Sequence, residues 1–432
     1  MPLLLTLLFL PAPAARPPDN VRCSGVQGNA RVTPIFCTPL DKNDLQRQIP
    51  GEVHNKTRDE DSIAVHRSSV QSNLSGDTLS VLSWNVENFF DWRNDSTTVS
   101  DTEFSTRGER HWTWKRFQAK ANAFAKALFW VEGETGRLPD IIGLAEVENA
   151  FVLRQVLLKT ALRKTDYRYV HYDSPDRRGI DVALLYRSSR LELLDSKPCH
   201  LSSADSLLAT RDILLCVFRL KSSVTFPVPP NNPSVIPGLT GNLSADESEM
   251  SGQADHDGSG EAGNNGIGVF AVLVNHHPSK YGGAAESEPR RRVAVERLRF
   301  VADSLTAIGI DRIIAGGDFN DTPDNPVFRL LEPALTPLHM DLYRRGLGTI
   351  KYDGKWDLID HFYISAAWES RSFVSDPASA ARPTMRILRI PFLLTRDSTH
   401  AGEKPLRTYT GPRYTGGVSD HLPILLEIPF PP

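Results

Sequence analysis

The chain has 432 residues, of which 40% are hydrophobic and 23% charged, a composition typical of a globular protein long enough for two domains or for one large α/β domain with extensions. Its 49 Lys and Arg residues nearly balance 52 Asp and Glu residues and leave a net charge of -3. The balance excludes a polycation, so any affinity for nucleic acid has to come from a local basic patch. Three basic clusters are candidates, although such a cluster is more often a solvated face: Arg107 with Arg110, Lys115 and Arg116; Arg177 with Arg178; and Arg290 to Arg292.

Residues 1–15 have the pattern of a signal peptide. A mostly apolar core, Leu3 to Leu10, precedes Ala12-Pro13-Ala14, which suits signal peptidase, although no Lys or Arg comes before the core. The core is shorter than the roughly 20 residues that cross a bilayer. We therefore predict a secreted or periplasmic protein without a stable membrane anchor, and a cytoplasmic one if the pattern is not a signal. Residues 16–77, polar and without sustained periodicity, are predicted to be a poorly ordered extension.

The four cysteines fit no C-x-x-C metal pattern. In an oxidising compartment the local disulfides would join Cys23 with Cys37 and Cys199 with Cys216, one of three possible connectivities. Free buried thiols are the alternative.

Regular structure is predicted to begin at Thr78, with a strand that ends near Asn85. The Asn85 carboxamide could form a turn, orient a nucleophile or join a metal shell. A helix is predicted from Thr113 to Trp130, because apolar residues at helical spacing make one stripe that would cover a face of a sheet.

The next predicted strand, IIGLAEVEN, carries two carboxylates near its end. Period-2 alternation places Glu146 and Glu148 on the same side. Buried carboxylates need a partner, and a hard cation such as Mg²⁺ is a natural one. The alternative is that the strand has run into solvent, which is more plausible for Glu148 than for Glu146.

Charged residues also stand at the entrances of later strands. Asp181 enters a strand predicted from Ile180 to Arg187, where an acid is unfavourable unless it pairs, for example with a histidine. Arg211 precedes a strand that ends at Leu220, and it could hold a phosphate by its fork geometry or pair with Asp212.

Residues 221–266 break this pattern with several prolines followed by an acidic tract of Gly, Ser and Asn. We predict a disordered insertion between two adjacent strands, one ending at Leu220 and the other running from Val269 to Asn275.

The strand after the insertion ends in NHHPSKYGG, starting at Asn275. Two histidines, a lysine and flexible glycines at a strand end are typical of a phosphate-handling loop. One of the pair His276 and His277 is expected to be structural. A helix with an apolar stripe is predicted to start at Ser287 and Pro289.

The stretch Asp311 to Asp321, DRIIAGGDFND, predicts a buried strand that turns at two glycines before Asp318 and Asn320. A carboxylate and a carboxamide two residues apart suit metal-assisted phosphoryl chemistry, because one can polarise a water while the other donates to a phosphate oxygen. An Asx-type turn is an equally plausible interpretation of this motif alone.

Two further acid and histidine motifs follow. Asp360 interrupts a predicted strand, Trp356 to Phe362, and Asp420 with His421 precedes the final apolar strand. The pattern recurs at six strand ends, which favours a shared catalytic edge in an α/β sandwich.

Eight segments of the chain resemble the endonuclease/exonuclease/phosphatase superfamily, the deoxyribonuclease I-like metal-dependent phosphodiesterases. They lie in the family's order between Leu79 and Ile428 and look closest to a bacterial branch: SWNVENF, IIGLAEVEN, RGIDVALLYR, TRDIL, NHHPSKYGG, GGDFND, WDLIDHF and GGVSDHLP. The resemblance implies one α/β domain over residues 78–430, a four-layer α-β-β-α sandwich of two packed mixed sheets flanked by helices.

The resemblance also implies a metal centre and a phosphate site. Glu146 would be the main Mg²⁺ ligand with Asn85 and Asp420 beside it, and Mn²⁺ or Ca²⁺ are alternative ions. Asp318 and Asn320 would orient the attacking water and the phosphate.

Two catalytic histidines and a phosphate contact complete the implied site. His276 would be held by Asp181, and His421 by Asp360. Arg211 would contact phosphate. Which histidine is the base and which the acid is left open by the sequence.

These inferences lead to a secreted Mg²⁺-dependent endonuclease, acting on DNA or RNA by in-line attack of water, as the expected function. A phosphomonoesterase or a sphingomyelinase-like phospholipase on the same scaffold is the alternative, and a non-catalytic binding module is a third reading that would require gaps in the site. A nucleic-acid substrate and a monomer are expected, with no obligate protein partner.

Overall fold

The computed structural model describes residues 78–94, 98–203, 206–221, 268–280, 283–369 and 382–429. All of them belong to one structural unit, Ser72–Pro432. The predicted signal peptide (1–15), the predicted extension (16–77), Cys23 and Cys37 lie outside the described residues, as does the predicted insertion apart from Lys221.

The described strands are, in chain order, β1 (Thr78–Phe89), β2 (Ile141–Val147), β3 (Tyr167–His171), β4 (Asp181–Arg187), β5 (Leu191–Cys199), β6 (Ser202–Ser203), β7 (Ser206–Leu207), β8 (Ile213–Leu220), β9 (Val269–His276), β10 (Ile313–Asp318), β11 (Thr336–Pro337), β12 (Ile350–Tyr352), β13 (Lys355–Asp357), β14 (Asp360–Ile364), β15 (Thr384–Ile387), β16 (Leu394–Arg396), β17 (Glu403–Pro405), β18 (Tyr409–Thr410), β19 (Arg413–Tyr414) and β20 (Ile424–Pro429).

The described α-helices are α1 (Val99–Glu103), α2 (Trp114–Thr135), α3 (Ala150–Lys159), α4 (Ala284–Ala307) and α5 (Met340–Arg344). Helix α2 begins where the Thr113 side chain accepts from the backbone N–H of Arg116, and it ends at Gly136, whose φ of 80° suits a glycine cap. Helix α4 begins three residues before Ser287 and contains Pro289.

Twelve of the strands form two six-stranded sheets. The first sheet has the order β15-β20-β1-β2-β4-β3, and the second has the order β11-β14-β10-β9-β8-β5. Each is mixed, because β1 pairs parallel with β2, and β9 pairs parallel with β10, while the other pairs are antiparallel. The expected pairing across the insertion is confirmed, with Phe218 of β8 opposite Phe270 of β9.

Three apolar clusters separate four layers. One cluster lies between the first sheet and helices α2 and α3, a second lies between the two sheets, and a third lies between the second sheet and α4. The sheets approach closely, since a Cβ added at Gly143 of the first sheet would lie 3.3 Å from Val274 of the second. The predicted α/β class and α-β-β-α layering are confirmed.

Of the two alternatives for Cys199 and Cys216, the free thiols are confirmed and the disulfide is wrong. Both residues are free, buried thiols. In the register of β5 and β8, Cys199 lies opposite Ile213, three residues before Cys216. Strand side chains alternate between faces, so Cys199 packs toward α4 and Cys216 toward the first sheet.

The predicted strand from Trp356 to Phe362 is two strands, β13 and β14. The chain crosses between them from a hairpin to the second sheet. The backbone of Thr349 donates to the Asp357 carbonyl, whereas the backbone of Phe319 donates to the Ile359 carbonyl. Within the described ranges, no helix is long and apolar enough to cross a membrane.

Candidate active site

The polar strand ends meet at one edge of the two sheets. In the second sheet, His276 and Asp318 lie opposite each other at the ends of parallel strands. In the first sheet, Asn85 lies opposite Ala145, the residue before Glu146. The Asn85 Nδ2 donates to Asp318 Oδ2 at 3.0 Å. This bond joins the two sheets at the centre of the site.

Asp318 is the most connected of these side chains, and it is buried. Its Oδ1 accepts from the backbone N–H of Asn320 at 2.8 Å. Its Oδ2 lies 3.7 Å from His276 Nε2 and 3.9 Å from His421 Nε2. Burial, reinforced by Asp360, raises the pKa of Asp318 to about 7, against the opposing effect of His421. Asp318 therefore changes charge near neutral pH, between the two histidines.

A tight turn places Asp318 and Asn320. Gly317 has φ +144°, and a Cβ there would lie 2.0 Å from the Asn275 carbonyl oxygen, so only glycine fits. Asn320 is left-handed, with φ 53°, and its Nδ2 donates to the His277 carbonyl at 2.9 Å. The carboxamide thus fixes the neighbouring histidine loop.

Glu146 stands at an irregularity in β2. The register with β4 shifts between Ala145 and Val147, and Glu146 has φ 66°, a left-handed conformation that is uncommon for a non-glycine residue. Its Oε2 accepts from the Asn88 backbone N–H at 2.8 Å, and its Oε1 lies 3.8 Å from His276 Nε2. The bulge turns this carboxylate toward the sheet edge.

His421 is held by Asp360, as the sequence predicts. The distance from His421 Nδ1 to Asp360 Oδ2 is 2.8 Å, and Thr349 Oγ1 also donates to that oxygen. Burial alone lowers the pKa of His421, but Asp360 and then Asp318 raise it well above its usual value. His421 is therefore a cation at neutral pH.

His276 has the opposite electrostatic environment. Burial lowers its pKa well below the usual value, and the positive charges of Arg211 and Arg178 lower it further. Its Nε2 faces Glu146 and Asp318, while its Nδ1 has no hydrogen-bond partner among the described residues. His276 is therefore neutral at neutral pH.

The predicted pairing of Asp181 with His276 is wrong. Asp181 opens β4 in the first sheet, and its Oδ2 lies 3.2 Å from Nε2 of His171 on neighbouring β3. The backbone N–H and the hydroxyl of Ser174 donate to its other oxygen. His276 belongs to the second sheet, and its Nε2 approaches Glu146 and Asp318 instead.

Arg211 is buried rather than open to substrate. Its Nη1 donates to Asp176 Oδ2 at 3.0 Å, and its Nη2 donates to the His277 carbonyl at 2.7 Å. Both directed bonds go to the protein, so the structure makes Arg211 a support for the histidine loop, in contrast to the predicted phosphate contact. The nearby Arg178 side chain is 43% exposed and lies 3.7 Å from Asp176, which leaves it better placed than Arg211 to meet a phosphate.

The remaining predicted metal ligand, Asp420, is held by an ion-pair network that the sequence did not indicate. Arg407 Nη2 lies 3.0 Å from Asp420 Oδ2 and 2.8 Å from Glu87 Oε1. Lys120, fully buried on α2, donates to the Glu87 carbonyl and to Thr408 Oγ1. Burial, opposed by Glu87 and Glu146, lowers the pKa of Lys120 to about 8. The one sequence feature that could have indicated this network is the position of Lys120 next to the apolar stripe of α2.

The donor chemistry of this edge fits a hard divalent cation. Glu146, Asp420 and Asn85 offer carboxylate and carboxamide oxygens, the ligands that Mg²⁺ and Ca²⁺ prefer. Separately, Asp318, Asp360 and His421 bring three possible ligand atoms within 4.8 Å of one another. In this second group His421 and Asp360 already form a close ion pair, with 2.8 Å between His421 Nδ1 and Asp360 Oδ2.

Buried acids, one neutral and one cationic histidine, and a set of oxygen ligands at one sheet edge define a metal-dependent hydrolase of phosphoric esters. The chain belongs to the Endonuclease/Exonuclease/phosphatase family, whose sequence profile matches residues 80–238 and 259–429, more than half of the chain. The family depends on divalent metal ions.

Several solved structures are similar to this chain at low sequence identity. The human Nocturnin catalytic domain with bound sulfate is 16% identical, with a TM-score of 0.44, and the match covers 81% of this chain and 93% of that chain. Truncated Caenorhabditis elegans TDP2 is 14% identical, with a TM-score of 0.45 and coverage of 83% and 100%. A mannosyl-6-phosphatase of Bacteroides thetaiotaomicron is 13% identical, with a TM-score of 0.43 and coverage of 81% and 98%. A search of curated protein sequences finds no match.

Proposed function

We propose that this protein is a Mg²⁺-dependent nuclease that hydrolyses phosphodiester bonds in DNA or RNA by in-line attack of water. The observation that carries the proposal is the pair of buried histidines on either side of Asp318. Their Nε2 atoms lie 3.7 Å and 3.9 Å from the same carboxylate oxygen. Burial lowers the pKa of both, but the pKa of His421 is raised overall by Asp360 and Asp318, whereas Arg211 lowers that of His276 further. A diester needs both a proton acceptor for water and a proton donor for an alkoxide leaving group.

The division of roles follows from these charges. Neutral His276, with Asp318, accepts a proton from the attacking water. Cationic His421, held by Asp360, stabilises the developing charge and protonates the leaving oxygen. Asn320, fixed by its bond to the His277 carbonyl, aligns the phosphate. Together these residues hold a general acid and a general base, both buried at the same sheet edge, in place before the substrate binds.

Glu146, Asn85 and Asp420 would hold the metal ion. When bound, Mg²⁺ supplies Lewis-acid neutralisation of the charge on the nonbridging phosphate oxygens. Arg407, through its contact with Asp420, orients one of the three ligands. Export of the protein, predicted from residues 1–15, remains part of this proposal.

A plasmid-nicking assay tests the proposal. Supercoiled DNA is incubated with the purified protein in Mg²⁺, in EDTA, and with the His276→Ala variant. We expect nicking that requires Mg²⁺ and falls by about 10²- to 10⁴-fold in the variant, the usual contribution of a general base. His400→Ala is the matched control, because it removes a partly exposed histidine that contacts Asp353.

Two results would contradict the proposal. Full activity of folded His276→Ala would remove His276 from the site. If the folded wild-type protein cuts neither DNA nor RNA but hydrolyses phosphomonoesters or sphingomyelin, the substrate class is that of the phosphatase or phospholipase branch.

A further inference from the structure

Three aromatic rings meet at the surface beside the active-site edge, and we call them the aromatic patch (Trp92, Trp114 and Phe151). The ring centroids of Trp92 and Trp114 are 4.6 Å apart and edge-on, and those of Trp92 and Phe151 are 5.5 Å apart. Trp114 is 40% exposed. The other two rings are partly buried. The patch therefore exposes the Trp114 ring to solvent, and the two partly buried rings support it from below.

Trp92 and Phe151 of the aromatic patch follow β1 and β2, the two strands that carry Asn85 and Glu146, two of the three proposed metal ligands. After β1 the Asp91 backbone N–H donates to Glu148 Oε2 at 2.7 Å, and the Glu148 backbone donates to the Phe89 carbonyl. Phe151 is in the first turn of α3, directly after β2. Because five residues of chain span at most about 18 Å, Phe151 lies within about that distance of Glu146.

Positive charge surrounds these rings. The Arg93 guanidinium lies 3.8 Å from the Phe151 ring centroid and 5.6 Å from that of Trp92. Arg154 lies 6.0 Å from the Phe151 centroid, and Lys115 is exposed next to Trp114. The adjacent acids Asp91 and Glu148 are buried. Arg93, Lys115 and Arg154 thus place exposed basic side chains beside the aromatic rings.

We propose that the aromatic patch binds an unpaired base of a nucleic-acid substrate a few nucleotides from the scissile phosphate, an inference that rests on the proposed nuclease function. Base stacking on an exposed aromatic side chain is sequence-tolerant, because every base has a π-face. Arginine adds cation–π attraction and neutralises the phosphate of the same nucleotide. Single-stranded DNA or RNA, or frayed ends, present such bases, whereas a closed duplex does not.

The test compares steady-state kinetics on a short single-stranded oligonucleotide in Mg²⁺. Trp114→Ala is expected to raise KM about tenfold with kcat nearly unchanged, within the usual range for loss of one base stack. Trp114→Phe keeps a ring and should stay within about threefold of wild type. The matched control is Phe300→Ala, which removes a 45% exposed ring on α4, in the opposite outer layer. Circular dichroism and thermal unfolding verify that each variant is folded.

A second arm uses wild-type protein alone, so the inference stays testable if Trp114→Ala misfolds. Oligonucleotides carry a single abasic position moved along the strand, and KM should rise at one position only. An unchanged KM in folded Trp114→Ala, or no sensitive position in the abasic series, overturns the aromatic patch as a base site while leaving nuclease activity intact. If wild-type protein cleaves no nucleic acid at all, the proposed function fails, and the patch assignment fails with it.

Discussion

Three histidines are buried between the second sheet and α4, and they predict acid sensitivity of the fold. The rings of His339 and His361 stack with centroids 4.1 Å apart, and His277 contacts Phe319 at 4.5 Å. Burial lowers the pKa of His339 to about 4 and that of His277 to about 3, where Arg211 also contributes. Neither ring nitrogen of His277 has a hydrogen-bond partner among the described residues. These groups fold as neutral imidazoles.

Replacing His277 by leucine isolates the contribution of one such group. Its pKa is 6.5 in the unfolded chain and about 3 in the folded one, so unfolding takes up a proton between these values. Stability from the neutral ring is therefore complete above pH 6.5 and is lost as the pH falls toward 3. The slope reaches about 1.4 kcal/mol per pH unit only well below pH 6.5, where the unfolded ring is fully protonated. Wild type therefore loses about 2.3 kcal/mol relative to His277→Leu between pH 6.5 and pH 4.5. That is a large part of a typical stability of about 5–15 kcal/mol.

The assay is urea unfolding at several pH values from 7.5 to 4.5 in EDTA, with the free-energy difference between wild type and variant plotted against pH. The difference between the two proteins is needed because carboxyl groups with raised pKa values change stability in the opposite direction. Burial raises the pKa of Asp318 and that of Glu87 to about 7, so these two groups stabilise the folded protein more as the pH falls. His111→Asn, at an exposed position, is the control. A wild-type to His277→Leu difference that stays flat with pH would refute the reasoning.

Three further predictions concern the site and its turn. Asp360→Asn should shift the alkaline limb of the kcat/KM profile to lower pH by about one unit or more, because Asp360 raises the pKa of His421; an unmoved limb would show that His421 is not the acid. Arg407→Ala should raise the Mg²⁺ concentration for half-maximal activity about tenfold by releasing Asp420, whereas a lower requirement would show that Arg407 competes with the cation. Gly317→Ala should lower the free energy of unfolding by about 3 kcal/mol or prevent folding, because its Cβ would lie 2.0 Å from the Asn275 carbonyl oxygen. The control is Gly346→Ala, where φ is +69° but the space is open, and it should cost about 1 kcal/mol in the same urea titration.

The layers of the fold follow from local patterns in the sequence. Helix α2 was predictable because its apolar residues recur at helical spacing and Thr113 caps its first turn. The strands ending at Leu220 and beginning at Val269 were predictable from continuous apolar runs. The sequence wrongly predicted one strand from Trp356 to Phe362, because Leu358 and Phe362 are both buried core residues. The apolar pattern therefore continues although the chain passes from one sheet to another. Hydrophobicity reports burial and does not report which strand is the partner.

The sequence predicted which sheet edge the candidate residues reach, but not the contacts that they make there. Asn85, Glu146 and Asp318 come toward the ends of apolar strands, and the structure places them at one edge. The partner of Asp181 was not, because His171 is brought beside it by the register of β3 and β4. Arg407 joins Glu87 to Asp420 across more than 300 positions of chain. Such pairings depend on the packing of the whole domain.

The chemical difference between His276 and His421, the two proposed catalytic histidines, originates in the residues that surround them. Both imidazoles are fully buried and share Asp318 as a neighbour. His421 also contacts Asp360, a carboxylate that stabilises its charged form. His276 instead lies near Arg211, which is anchored by Asp176 and disfavours a second positive charge. Exchanging these outer partners, rather than the histidines, is the change that would exchange acid and base.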